Sequence, residues 1–294
     1  MTDSKLTIGW IGAGKMGLPI ARRLKVAGHA VQVLARTAQS NEKLKAAELD
    51  TKPSIAGVCQ NADIVFSSIS DDAALFDIVN AKGGIADSLS KKCIYVDMST
   101  VSPEASAKVG ERLQKAGIIY LRSPVSGSTI MAEAGTLTAI VSGPKAAFES
   151  LQSVFTTFSR KCFHVGEAEE ARTMKLALNS MVAATSALLA EALAFGFKGG
   201  LELETMLNVI NQSVVASPLI AYKTDMIVKN NYKPAATLSM LQKDVDLLLN
   251  TAAAQHVALP LNTLIHQIYR KAAVSGLAEQ DFFVLVQDAL KSST

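Results

Sequence analysis

The sequence predicts a chain in two parts: an α/β domain on a mainly parallel, doubly wound sheet, then a domain made only of helices. Three observations predict it. Residues 6–17, Leu6-Thr-Ile-Gly-Trp-Ile-Gly-Ala-Gly-Lys-Met-Gly17, run from an apolar strand-type segment into Gly12-x-Gly14-x-x-Gly17, and an amphipathic segment follows at 18–27. Strand-type and helix-type runs then alternate to about residue 165, the pattern of a parallel sheet with helices on both faces. Beyond Gly166 no convincing strand pattern occurs, and helical runs follow one another to the end. The expected boundaries are therefore 1–165 and 166–294, joined through a long helix at about 172–198.

Strand, glycine turn and helix together make GxGxxG a dinucleotide-binding signal. Gly12 forms the tight turn, Gly14 leaves room for a pyrophosphate against the backbone, and Gly17 lets helix and strand pack closely. The helix N-terminus offers free N–H groups and the positive end of its dipole. A Rossmann-type domain is thus expected, with Gly12, Ala13, Gly14, Lys15, Met16 and Gly17 at the cofactor. The next strand is expected at 30–34, a polar helix at 40–48, a short strand near Thr51 and a strand at 62–69. Further strands are expected at 93–97, 118–122 and 137–141, with a helix at 103–116 that Ser102-Pro103 opens. In the second part, helical runs cover 203–212, 218–230, 238–255, 260–273 and 282–291, punctuated by Gly199-Gly200, Pro218, Pro234, Pro260, Gly276 and an Asp281 cap. A crevice between the two domains is the default ligand site.

Bulk properties exclude several classes. The 294 residues carry a net charge of +3 with no block of like charges, which gives no reason to expect nucleic acid or a membrane surface as partner. Met1-Thr-Asp-Ser-Lys5 is polar and leads into a strand, unlike a signal peptide. The most apolar helical stretch, 176–190, is closed by Lys175 and Glu191 and reads as too short and too polar to span a bilayer. Cys59, Cys93 and Cys162 have no metal-type spacing, so no metal is expected and the thiols read as reduced, in the cytoplasm.

At the end of the second strand, where an NAD-specific domain places an acid, the chain has Leu34-Ala-Arg-Thr37. Arg36 and Thr37 put a cation and a hydroxyl where a 2′-phosphate would lie, and guanidinium binds phosphate with two donors, so NADP(H) is expected. Two further stretches carry chemistry. Ser123-Pro-Val-Ser-Gly-Ser128 is a small-residue loop after a strand, able to aim backbone N–H and hydroxyl groups at a carboxylate. Lys175 and Asn179 are one turn apart on a helix with apolar neighbours, where the lysine either snorkels to water or sits in a partly dry cleft that lowers its pKa.

GxGxxG, Pro-Val-Ser-Gly and Lys-x-x-x-Asn, in this order and spacing, resemble the β-hydroxyacid dehydrogenase family, which includes 3-hydroxyisobutyrate and 6-phosphogluconate dehydrogenases. The likeness covers essentially the whole chain, including Asp97-Met-Ser-Thr100, Lys243-Asp244 and Gln280-Asp281-Phe282. Pro124–Ser128 and Ala35-Arg-Thr37 look closest to the glyoxylate/succinic semialdehyde reductase branch, which uses NADPH. The resemblance implies a 6-phosphogluconate dehydrogenase-like all-α second domain. It implies Lys175 as proton donor, Ser126, Gly127 and Ser128 on the substrate, and Asn179 orienting it. It also implies Lys243 and Asp244 closing over the nicotinamide side, with Asp244 towards the substrate. Thr100 would lie beside the nicotinamide ribose, and Ile69 and Ser70 would line the cofactor crevice. Catalysis would fall to Lys175, Asn179 and Ser126.

The chain departs from the family pattern ahead of the lysine. Gly166-Glu-Ala-Glu-Glu-Ala-Arg172 has Glu169 and Ala171 where the family usually has glycine, and Arg122 stands where an acid usually precedes the Pro-Val-Ser-Gly loop. Arg122 is expected to pair with Glu169 or Glu170; the other reading has it hold a second anionic group of a larger substrate. The expected function is NADPH-dependent reduction of a small carboxylate-bearing aldehyde or keto acid. Its rivals are oxidation of a β-hydroxy acid and a dinucleotide-binding module without turnover. The apolar runs 203–212 and 238–249 imply subunit contacts, in a homodimer or homotetramer.

Overall fold

The computed structural model describes residues 5–91 and 93–293, so residues 1–4, on which the N-terminal reading partly rests, lie outside them. Two compact units are present, Met1–Lys175 and Leu176–Thr294, which divide the chain inside its longest helix.

The first unit is built on a sheet. Strands β1 (Thr7–Ile11), β2 (Ala30–Leu34), β3 (Asp50–Lys52), β4 (Ile64–Ser67), β5 (Ile94–Asp97) and β6 (Ile119–Arg122) are parallel, in the spatial order β3-β2-β1-β4-β5-β6. This is the doubly wound dinucleotide-binding order, which reverses direction beside β1. Three strands extend it: β7 (Val125–Ser126), β8 (Leu137–Ser142) and β9 (Ser159–Gly166). β8 runs antiparallel to β6 and β7, and β9 lies parallel to β8. The covering helices are α1 (Gly17–Val26), α2 (Ala38–Ala46), α3 (Ile55–Cys59), α4 (Asp72–Asn80), α5 (Ile85–Ser88), α6 (Pro103–Ala116), α7 (Thr129–Ala134), α8 (Lys145–Ser150) and α9 (Gln152–Thr156). Successive side chains of a strand point to opposite faces. Ile64 and Phe66 accordingly enter one core, with Trp10, Leu24 and Phe158, while Val65 enters the other, with Leu75, Tyr95 and Val109.

The long helix α10 (Glu170–Lys198) leads into α11 (Leu203–Asn211), α12 (Pro218–Val228), α13 (Leu238–Ala254), α14 (Pro260–Ala272), a π turn at Ala273–Leu277, a 3₁₀ turn at Phe282–Val284 and α15 (Leu285–Ser293). Asp281 caps the 3₁₀ turn by accepting from the Phe283 N–H at 3.2 Å. One expectation needs correction. α10 is 29 residues long with a window of mean hydropathy 1.5, long and apolar enough by length and composition to cross a bilayer, so the argument from shortness does not hold. Its character has another cause: Ala183, Leu189, Ala190 and Leu193 are core residues of the second unit. Ser186 Oγ also bonds the buried Tyr269 hydroxyl at 2.7 Å.

Several elements escaped the sequence pattern. Helices α3, α5, α7, α8 and α9 are four to six residues long, too short for a 3.6-residue period to show. In β9 the half-buried positions are Cys162, His164 and Gly166, while the apolar Phe163 and Val165 are exposed, which inverts the usual alternation.

Burial pushes the Cys59 and Cys162 thiols each up to about 12. A raised folded-state value means that the folded chain holds these protons after the unfolded chain has lost them. Stability from this source is full below about pH 9 and declines as pH rises towards about 12. The urea midpoint should fall between about pH 8 and about pH 10.5, and less steeply in a Cys59→Ala/Cys162→Ala variant; an equally steep fall in both would contradict this.

Candidate active site

The glycine turn forms a cradle. Gly12 has φ 86°, and a Cβ there would meet the Ser68 carbonyl oxygen at 2.1 Å. A Cβ on Gly17 would meet the Gly12 carbonyl oxygen at 2.2 Å and the Trp10 Nε1 at 2.8 Å, so helix and strand need glycine at that crossing. Gly14 is the opposite case: it is exposed, and a Cβ there would meet nothing within 4 Å. Met16 gives α1 no side-chain cap, and its first turn holds no acid. The first-turn N–H groups therefore lack side-chain acceptors beside an open glycine, which fits a pyrophosphate. Lys15 is exposed and Ala13 half-buried in the same turn.

At the end of β2, Arg36 is exposed and makes no side-chain hydrogen bond or ion pair among the described residues. Thr37 has local work: its Oγ1 accepts from the Ser40 N–H at 3.1 Å, and Ser40 Oγ accepts from the Thr37 N–H at 3.0 Å, a reciprocal cap on α2. After β4, Ile69 N–H donates to Ser99 Oγ at 2.9 Å, and Ser70 Oγ bonds Asp71, the cap of α4. Thr100 follows β5 and is half-buried.

Beneath these loops lies a buried polar network that sequence reasoning missed. Asp97, at the end of β5, accepts from Ser67 Oγ at 2.5 Å and Ser99 Oγ at 2.7 Å on one oxygen, and from Arg172 on the other at 2.5 Å. Arg172 also donates to the Ser99 carbonyl at 2.6 Å and the Tyr120 hydroxyl at 3.0 Å. Burial works against the charge on Arg172, but Tyr120 and Asp97 outweigh it and hold the guanidinium above its ordinary value. Burial, then the charge on Asp97, pushes the Tyr95 phenol well up. The only sequence signal was Arg172 itself, one turn before Lys175; its partner is 75 residues away.

The remaining residues fall into two groups. Ser126 is in β7, paired with Thr138 of β8. Gly127 has φ 139°, and a Cβ there would meet Leu137 at 2.6 Å. Ser128 Oγ caps α7 towards the Met131 N–H at 3.5 Å. Lys175 is half-buried on the anchored end of α10. Arg122 bonds Glu169 through Nε at 2.9 Å and Nη2 at 2.5 Å, with its guanidinium 4.2 Å from the Tyr120 ring centre. In the second unit, Asn179 Nδ2 donates to Asp244 Oδ2 at 2.6 Å, and Lys243 Nζ lies 2.9 Å from Oδ1 as an ion pair without hydrogen-bond alignment. Both Asp244 oxygens are thus engaged by protein.

The glycine cradle, Ile69, Thr100 and the 126–128 loop all follow the carboxyl ends of sheet strands, where doubly wound folds bind ligands. Together with the fold, this defines a dinucleotide-binding protein of the doubly wound class. Residues 7–166 match the NAD binding domain of 6-phosphogluconate dehydrogenase, and residues 170–288 match the NAD-binding model of NADP-dependent 3-hydroxyisobutyrate dehydrogenase. The 2-(hydroxymethyl)glutarate dehydrogenase of Eubacterium barkeri is 30% identical over 97% of this chain and 95% of its own length. The chloroplastic glyoxylate/succinic semialdehyde reductase 2 of Arabidopsis thaliana is 29% identical over 98% of this chain and 80% of its own. The Mycobacterium tuberculosis 3-hydroxyisobutyrate dehydrogenase solved with L-serine shares the fold, with a TM-score of 0.88 at 23% identity over 97% of this chain and 99% of that one. The chain belongs to the 3-hydroxyisobutyrate dehydrogenase-like family, as an NAD(P)-dependent β-hydroxyacid dehydrogenase/reductase.

Gly14→Ala separates cradle from fold. With open space around its Cβ, the variant should keep its melting temperature while binding dinucleotide about tenfold or more weakly; a matching loss of stability, or unchanged binding, would count against the cradle.

Proposed function

We propose that the chain reduces a small carboxylate-bearing aldehyde or keto acid, of semialdehyde or glyoxylate type, with NADPH. The observation that carries this is Lys175, half-buried one turn beyond an anchored arginine, on a helix that starts in the same unit as the glycine cradle. The cofactor choice rests on Arg36, an unengaged cation where an NAD-specific domain has an acid, and on the NADP-dependent description of the second family model. The substrate class rests on the reductase named above.

The cofactor, when bound, supplies hydride to the carbonyl carbon. The chain supplies the rest. Lys175 donates a proton from its ammonium to the carbonyl oxygen, which balances the hydride as an alcohol. Ser126 Oγ and the Gly127 N–H hold the carboxylate. The Asn179 amide, fixed by Asp244, bonds the substrate oxygen, so Asp244 acts through Asn179. Lys243 would close over the nicotinamide side, with Thr100 beside its ribose and Ile69 and Ser70 lining the crevice. A second reading, oxidation of a β-hydroxy acid with Lys175 as base, is favoured by the glutarate-type dehydrogenase among the relatives. The three free thiols support a reducing compartment such as the cytoplasm.

Along α10, Met181, Leu188 and Phe195 are 67%, 70% and 85% exposed at seven-residue spacing, which is one stripe of a helix. This stripe supports a homodimer packed helix to helix. Leu188→Glu should shift the chain to monomer in light scattering; a wild-type monomer at micromolar concentration would sink the dimer.

Lys175→Ala should lower kcat with succinic semialdehyde about 10²–10⁴-fold while leaving NADPH binding nearly unchanged. Turnover like wild type in that variant would overturn the role of Lys175.

A further inference from the structure

We infer that Arg172 is a positioning residue that locks the first turn of α10, and with it Lys175, to the two loops lining the dinucleotide cradle. The inference rests on the role proposed for Lys175. Its geometric basis is a chain of short, buried bonds. Arg172 is 1% exposed. Its Nη1 holds the Ser99 carbonyl at 2.6 Å, directly before Thr100, and its Nη2 holds Asp97 at 2.5 Å. Asp97 holds the Ser99 hydroxyl at 2.7 Å, and that hydroxyl accepts from the Ile69 N–H at 2.9 Å. One bond therefore connects the helix turn directly to the loop after β5, at the Ser99 carbonyl, and a route of three bonds through Asp97 and the Ser99 hydroxyl reaches the loop after β4. The remaining donors reach β6 and α6, at the Tyr120 hydroxyl (3.0 Å) and Ser106 Oγ (3.3 Å).

The position of Arg172 on α10 gives the network its consequence. Arg172 and Lys175 are three residues apart, so they are neighbours on one helix face. The same end of α10 is held twice more, by Ala171 N–H donating to Ser142 Oγ at 3.2 Å and by Glu169 on Arg122. Stability alone does not account for a buried arginine, because well-packed apolar residues in place of a buried ion pair are often neutral or stabilising. A planar fork of five donors adds direction: it fixes both the rotation and the depth of the helix turn that bears it. A general acid displaced by about 1 Å can lose about 10²-fold in rate, so that fixing matters to turnover.

The full-length Arg172→Met/Asp97→Asn variant removes both charges and leaves neither unpaired. Below its melting temperature, kcat with succinic semialdehyde and the NADPH dissociation constant are measured, the latter by energy transfer from Trp10, the chain's one tryptophan, which lies against Gly17. We expect kcat to fall about 10²-fold, the aldehyde KM to stay within about twofold, and NADPH to bind several-fold more weakly. Either kcat or NADPH affinity left within about twofold of wild type overturns the inference. Arg172→Lys, which keeps a charge opposite Asp97, is judged by the same criteria if the double variant does not fold, and should lose less of both. If Lys175→Ala keeps wild-type turnover, the proposed reaction fails while the NADPH measurement still decides whether Arg172 anchors the cradle loops.

Discussion

The contact between Arg172 and Asp97 is the constraint on which the rest of the first unit's functional face depends. Both side chains are excluded from water, so neither charge is tolerable without the other, and removal of one partner of such a pair typically costs about 3–5 kcal/mol. Asp97 ends β5 at the sheet's carboxyl edge. The pair therefore joins the edge where a dinucleotide is held to the helix that carries the lysine. Ser67, Ser99, Tyr95, Tyr120 and Ser106 supply further hydrogen bonds around it, and four of the five guanidinium donors of Arg172 are engaged. Hydrogen-bonded buried networks of this kind rigidify what they connect.

The same network puts the chain's departures from the family pattern in context. Glu169 and Ala171 replace glycines, and Arg122 replaces an acid, but Arg122 and Glu169 meet each other through two hydrogen bonds. Arg122 lies over Tyr120, whose hydroxyl bonds Arg172. Gly110 makes the room: a Cβ there would come within 2.7 Å of the Arg122 guanidinium. The pairing is the plain structural one, and it leaves no need for Arg122 to bind a second substrate anion. Ahead of α10, side-chain bonds anchor the segment where the family pattern has glycines.

Much of this was legible in the sequence wherever the signal is local. Glycines 12 to 17 read correctly as a strand–turn–helix because all the information lies within a dozen residues, and the succession of the first six strands along the chain followed from alternation of type, whereas their spatial order did not. Arg172 with Asp97 was not legible, because pairing across 75 residues leaves no periodic trace. Thr37 and Ser128 were visible as hydroxyls, but their capping bonds depend on where α2 and α7 begin, and helix ends are the least certain part of a sequence reading. The argument from shortness did not hold for a different reason: it weighed residues 176–190 alone, although the helix itself was legible at about 172–198.

The proposed activity needs one coupling: a glycine cradle to hold NADPH, and a lysine on an anchored helix to protonate what the hydride reduces. It is tested most directly by the initial rate of cofactor oxidation by the wild-type chain with glyoxylate and with succinic semialdehyde, using NADPH and NADH in parallel. Saturable oxidation with at least one aldehyde, and a higher kcat/KM with NADPH than with NADH, is the expected result. No oxidation of either cofactor while Trp10 reports bound NADPH, or a clear preference for NADH, would contradict it.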